Sequence, residues 1–271
     1  MFMFKIIGFS IRVGLALVLF SGYGGWAVKV IAHRGDSFHC PENTLASFRS
    51  AVDKNADFVE LDSRVTQDGY LVCHHDGSLE NKTNVAEILG STDHSIESVT
   101  FEITQKLDVG SWKNAKFSGE RIPTLEESLK TIQKGSTTLL ERKSGSALEH
   151  AKMLERLGYT DDLIVQSFDW DFLAAMRTWL PQTQLAALSG KEVTEEKLKD
   201  IRRIGIGIAV WRHDDITPQN FPLFGQHGLE LWTYTVNEPA DWKRLVDLGV
   251  TGIITDKPAE LRHWLAENGH E

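Results

Sequence analysis

The sequence predicts an α/β protein built as a (β/α)8 TIM barrel, and three observations carry that prediction. Short apolar runs alternate along the chain with segments of helical period, the mark of βα units. The link Gln67-Asp68-Gly69 is too short for a parallel crossover, so one of the nine candidate strands must fold back as a hairpin and leave eight for the barrel. Polar and ionisable residues gather where successive runs end, and that is where barrels and open parallel sheets carry their sites.

The first strand is expected over 28–33, where Val28-Lys29-Val30-Ile31-Ala32 runs into His33 and Arg34. Thr44 heads a helix over 44–54, whose Leu45, Phe48 and Val52 share a face. The next strand, 57–63, is interrupted by Glu60 and Asp62, which lie two apart and so point to one side. Strand 70–75 closes on His74, His75 and Asp76 and is the one expected to run antiparallel to 57–65. Residues 77–122 are polar and break the alternation; a stretch that long calls for structure of its own, here a small insertion subdomain. Pro123 and Thr124 open a helix over 124–134. Strands at 137–142, 162–167, 184–188, 206–211, 229–236 and 252–255 then alternate with helices at 146–157, 169–179, 194–203, 238–248 and 258–267, with a weaker one at 217–226.

Composition narrows the function classes. A chain of 271 residues with 41% apolar content fits one large barrel with a sizeable core. A formal charge of −9 argues against nucleic acid as a partner but leaves room for a small anionic substrate, whose binding local charge decides. No acidic residue precedes Asp36; Lys5 and Arg12 lead into an apolar run from Val13 to Phe20, and small residues end at Ala27. Residues 1–27 therefore read as a signal peptide, with 28–271 as the mature domain, exported to the periplasm or secreted and without a stable membrane anchor after cleavage. The apolar run is short of the roughly 20 residues a span requires. Cys40 and Cys73 allow one disulfide in such a compartment, or Cys73 is simply buried in its strand. The chain has no paired C-x-x-C, no P-loop and no Gly-x-Ser-x-Gly elbow.

The residue types at the strand ends define a chemistry. Glu60 and Asp62 offer hard oxygen ligands, suited to Mg²⁺ or Ca²⁺. His33 and His75 can exchange protons near neutral pH, and Arg34 can grip a phosphate with its planar fork. Together they point to hydrolysis of a phosphoryl ester.

The segments His33-Arg34-Gly35, Pro41-Glu42-Asn43-Thr44, Glu60-Leu61-Asp62, Asp68-Gly69 and His75-Asp76 resemble the signature of glycerophosphodiester phosphodiesterases, a superfamily shared with phosphoinositide-type phospholipases. Arg121-Ile122-Pro123-Thr124, Leu140-Glu141-Arg142-Lys143, Gln166-Ser167-Phe168, Trp232-Thr233-Tyr234-Thr235-Val236-Asn237 and Gly252-Ile253-Ile254-Thr255-Asp256-Lys257-Pro258 continue the resemblance in the same order, over roughly 28 to 260. It implies a distorted barrel, an insertion that caps the site, and release of sn-glycerol 3-phosphate and an alcohol. It adds Glu141 to Glu60 and Asp62 as ligands of one divalent cation, Ca²⁺ or Mg²⁺. Lys143, two residues on, joins Arg34 in holding phosphate oxygens, and His33 and His75 become the acid–base pair. The nucleophile is either water or the adjacent glycerol hydroxyl, by way of a cyclic phosphate. Trp232, at the end of a predicted strand, is placed against the glycerol or the head group, with a core position as the alternative. Rival readings are a lysophospholipase D- or sphingomyelinase D-like lipid enzyme, a barrel that only binds solute, and an unrelated metal-dependent chemistry on the same fold. The oligomeric state is left open.

Overall fold

The computed structural model describes residues 27–270, so the expected signal peptide lies almost wholly outside the described residues. The strands are β1 (Lys29–Ala32), β2 (Phe58–Val65), β3 (Leu71–Cys73), β4 (Thr137–Arg142), β5 (Leu163–Ser167), β6 (Gln184–Ser189), β7 (Ile208–Arg212), β8 (Glu230–Tyr234) and β9 (Gly252–Thr255). All but β3 run parallel. They follow the order β1-β9-β8-β7-β6-β5-β4-β2, and β1 pairs with β2 to close the ring. The molecule is a (β/α)8 barrel. β3 turns back at Gly69, where φ is 86°, and pairs antiparallel with the end of β2, Ser63 opposite Cys73 and Val65 opposite Leu71. The short Asp-Gly link thus does what its length dictates.

Helices follow the barrel strands at Leu45–Asp53, Leu125–Ile132, Ala147–Leu157, Trp170–Trp179, Glu195–Arg203, Phe221–Gln226, Pro239–Leu248 and Pro258–Glu267. Several start on reciprocal caps written in the sequence. Thr124 and Glu127, like Ser146 and Glu149, exchange side-chain and backbone hydrogen bonds at their helix N-termini. Each cap contributes about 1 kcal/mol. The helix expected over 217–226 starts only at Phe221, because Thr217 and Asn220 tie each other's backbone into a turn first. Asn55 takes the left-handed conformation at φ 56°, which Asn tolerates better than most residues.

Alternation along each strand divides the apolar side chains into two layers. One set packs between barrel and helices. The other, with Ile31, Leu139, Ile164, Val210, Trp232 and Ile254 among it, fills the barrel interior. Residues 77–122 form four short helical segments over a third cluster that includes Leu79, Val85, Ile96, Leu107 and Ile122 and shares Val72 with β3. Among the described residues no helix is long and apolar enough to cross a membrane.

Candidate active site

The barrel mouth opens into a cleft of about 250 Å³ lined by His33, Arg34, Glu60, His75, Glu141, Lys143, Gln166, Phe168 and Tyr234, among others. These side chains reach it because each stands on the inward face at the C-terminal end of its strand, one layer above the apolar interior. Asp62, two residues beyond Glu60 on β2, adjoins them and is 1% exposed, like Glu60.

Glu60, Asp62 and Glu141 each bring one carboxylate oxygen within 4.8 Å of the others. β2 and β4 place them there, with Asp62 directly opposite Glu141. Glu60 Oε1 and Asp62 Oδ1 are buried with no hydrogen-bond partner. Burial and the neighbouring charges of Asp62 and Glu141 push the Glu60 carboxyl well above the usual range. Burial and Asp62 push Glu141 up to about 7. Asp62 is held low in spite of its burial, because Arg34, Lys143 and His75 surround it. Three crowded, desolvated carboxylates with unpartnered oxygens are the donor set of a hard divalent cation, so the residues present fit the group.

Arg34 and Lys143 flank this cluster. Arg34 donates through Nη1 to Glu42 Oε1 at 2.8 Å, and its Nε stands 3.3 Å from Asp62 Oδ2. Its backbone is left-handed, with φ at 55°, and this turns its N–H onto Glu60 Oε2 at 2.8 Å. Such a conformation costs a non-glycine residue on the order of 1 kcal/mol or more and persists where contacts fix it. Asn43, also at φ 55°, donates through Nδ2 to Asp62 Oδ2 and accepts the Asp62 N–H on Oδ1. Lys143 donates to Glu141 Oε1 and lies 3.4 Å from Asp62 Oδ1. Burial opposes its charge, but these two carboxylates keep it a firmly protonated ammonium.

Each histidine is backed by an aspartate. His33 Nδ1 donates to Asp256 Oδ1 at 2.6 Å, and Asp256 is itself held by Ser37 and Asn237. His75 Nδ1 donates to Asp76 Oδ1 at 2.7 Å. Burial raises both carboxyls, but their donors win: Asp76 falls to about 2 and Asp256 further still. Both rings are therefore fixed in the tautomer that leaves Nε2 as the free nitrogen. Burial, ahead of the charges around it, holds the His75 imidazolium below its ordinary range. A strut supports this side of the mouth. Arg64 donates from Nε and Nη2 to the His75 carbonyl, and from Nη1 to Glu97 of the 77–122 segment, which also accepts from Ser144 beside Lys143.

Against known proteins, residues 33–260 match the family model described as glycerophosphoryl diester phosphodiesterase. The chain belongs to that family. A glycerophosphodiester phosphodiesterase of Caldanaerobacter subterraneus subsp. tengcongensis is 32% identical over 247 residues, covering 89% of this chain and 98% of its own. Another from Bacillus subtilis is 32% identical over 254 residues, covering 85% and 84%. An Oleispira antarctica phosphodiesterase solved with the product sn-glycerol-3-phosphate superposes with a TM-score of 0.81 over 88% of this chain and 96% of its own, at 24% identity, and shares the fold. As a glycerophosphodiester phosphodiesterase, the protein is a hydrolase of phosphoric diesters.

Seven of the eight candidate side chains converge on this family's barrel mouth: His33, Arg34, Glu60, Asp62, His75, Glu141 and Lys143. Trp232 does not, and the expectation that it meets substrate is corrected. It is fully buried inside the barrel, 5.1 Å from Phe58 at the start of β2, in space that a Cβ on Gly252 would fill. Inward residues on β8 recur every second position, so Tyr234 is the one that reaches the cleft. His74 faces away from the cleft, buried, as its alternation with His75 requires. Cys40 and Cys73 are both free and buried; the Cys73 thiol donates to Ser128. Sequence reasoning assigned no role to Asp256 or Asp76, although both lie within the strand-end segments that carry the resemblance. Gln166 went unassigned as well.

Proposed function

We propose that the protein splits glycerophosphodiesters into sn-glycerol 3-phosphate and an alcohol, with one divalent cation held by Glu60, Asp62 and Glu141 and with His33 and His75 as the proton-transfer pair. The observation that carries this reading is the juxtaposition of the crowded carboxylate triad with two imidazoles, each locked by its own aspartate, at one cleft. When bound, Ca²⁺ or Mg²⁺ supplies Lewis-acid neutralisation of charge on a phosphate oxygen. Arg34 and Lys143 bind the remaining oxygens and orient the phosphorus. One imidazole Nε2 takes a proton from the nucleophile, and the other, protonated, gives one to the leaving alkoxide. Asp256 and Asp76 keep each ring facing the phosphate and stabilise it when charged.

The test is turnover of glycerophosphocholine by residues 28–271, with Ca²⁺, with Mg²⁺ and with chelator, read as glycerol 3-phosphate released. Metal-dependent release is expected, and His33→Ala and His75→Ala should each lose at least roughly 100-fold in kcat while folding normally. Turnover that survives the chelator, or either alanine variant at near wild-type rate, overturns the corresponding assignment. A product that first appears as a cyclic glycerophosphate identifies the glycerol hydroxyl as nucleophile; its absence in rapid quench identifies water.

A further inference from the structure

We propose that Gln166 hydrogen-bonds a hydroxyl of the glyceryl part of the substrate and so sets the preference for glycerol-based diesters, an inference that rests on the function proposed above. Gln166 stands on β5 with its Cα level with Glu141, and it lines the cleft. It is 1% exposed, and its Oε1 has no hydrogen-bond partner. A buried amide oxygen left bare costs stability and calls for a reason. The fold does not supply one, since Ile164 two residues earlier faces inward in the apolar cluster, and a leucine or methionine would continue that layer.

As the side chains stand, the missing donor does not come from the cleft: the Tyr234 hydroxyl donates to the Ser189 carbonyl, the Lys143 ammonium is directed at Glu141 and Asp62, and the Arg34 fork at Glu42 and Asp62. Nor does it come from the ionised phosphate, whose oxygens only accept. The glyceryl hydroxyls are donors. The last side-chain torsion of a glutamine is soft, so the amide can turn to present its oxygen to the cleft. Around it Leu188, Ile254, Tyr234 and Phe168 give the wall an apolar surface for the three-carbon skeleton. The phosphate and the skeleton thus have separate partners: cations on one side, an amide set in apolar surface on the other.

The experiment measures inhibition of glycerophosphocholine turnover by sn-glycerol 3-phosphate and by its two deoxy analogues, the monophosphates of propane-1,2-diol and propane-1,3-diol. Wild type is expected to bind glycerol 3-phosphate about 10-fold tighter than at least one analogue. Gln166→Met should weaken glycerol 3-phosphate by about that factor and leave that analogue unchanged, erasing the preference. A preference that survives in a folded Gln166→Met protein overturns the proposal, as does a wild type that binds all three alike. That second comparison needs no variant, so a Gln166→Met that fails to fold does not shelter the idea. A wild type that hydrolyses no glycerophosphodiester overturns the function itself; one that hydrolyses them without discriminating hydroxyls overturns only the role of Gln166.

Discussion

Asp256 holds His33 across 223 positions of sequence, the last barrel strand reaching round to the first. Its hydrogen bond selects the tautomer, so Asp256→Asn, which can offer an N–H instead, should cost kcat far more than KM. A fall of roughly 100-fold in kcat with KM within about threefold is expected from steady-state kinetics. Equal losses in both would make Asp256 a binding residue. The same distance explains why the site was only partly legible. His33 and His75 stood out because each closes an apolar run, and Glu60 because it interrupts one beside Asp62, while Glu141 entered through the family resemblance. An orienting carboxylate carries no such local mark; only closure of the ring brings it to its imidazole. Trp232 misled for a related reason. Within the expected strand 229–236 it was read as a strand end, whereas β8 runs on to Tyr234, which holds the mouth position two residues beyond it.

At the scale of elements, helix Ala147–Leu157 is fastened to β2 by a buried histidine. Ser63 Oγ and His150 Nε2 are 3.0 Å apart, and His150 Nδ1 lies 2.9 Å from the Ser146 carbonyl. Burial, ahead of the field of Arg142, lowers His150 from 6.5 to about 4. In the unfolded chain the ring takes up a proton first as pH falls, so the sign is fixed. Stability is full above pH 6.5 and is lost between pH 6.5 and pH 4, by about 3 kcal/mol at the limit. Urea unfolding at pH 7 and pH 5 measures it, and His150→Gln should lessen the dependence over that window. An unchanged slope in the variant would place the acid lability elsewhere. The existence of the barrel strands and of the helices between them was legible, since period and punctuation are local properties. Ends were less so. β3 begins at Leu71 and ends at Cys73, short of the expected 70–75, because only Leu71, Val72 and Cys73 find partners on β2. The path of 77–122 was not legible at all. It depends on turns such as that of Asp108, whose carboxylate gathers the N–H groups of Gly110, Ser111 and Gly119.

At the scale of the whole molecule, the barrel carries a destabilising charge cluster at its mouth. Burying Glu60, Asp62 and Glu141 together opposes folding unless something neutralises them. Ca²⁺ or Mg²⁺ is therefore expected to raise Tm, by an amount that at 100-fold excess over Kd corresponds to about 2.7 kcal/mol. Glu60→Gln should raise the Tm of the chelator-treated protein and abolish the gain from added metal; a gain of wild-type size in that variant would place the cation elsewhere. The global fold was legible because eight parallel repeats and one hairpin admit few other arrangements. The seam of the ring has a consequence for biosynthesis. β1 gains its second neighbour only from β9, so a growing chain shows open edges at β1 and at β8 until residues 252–255 have been made. Closure is thus a single late event, and until the ribosome has delivered those residues the nascent chain must be shielded from pairing with others of its kind.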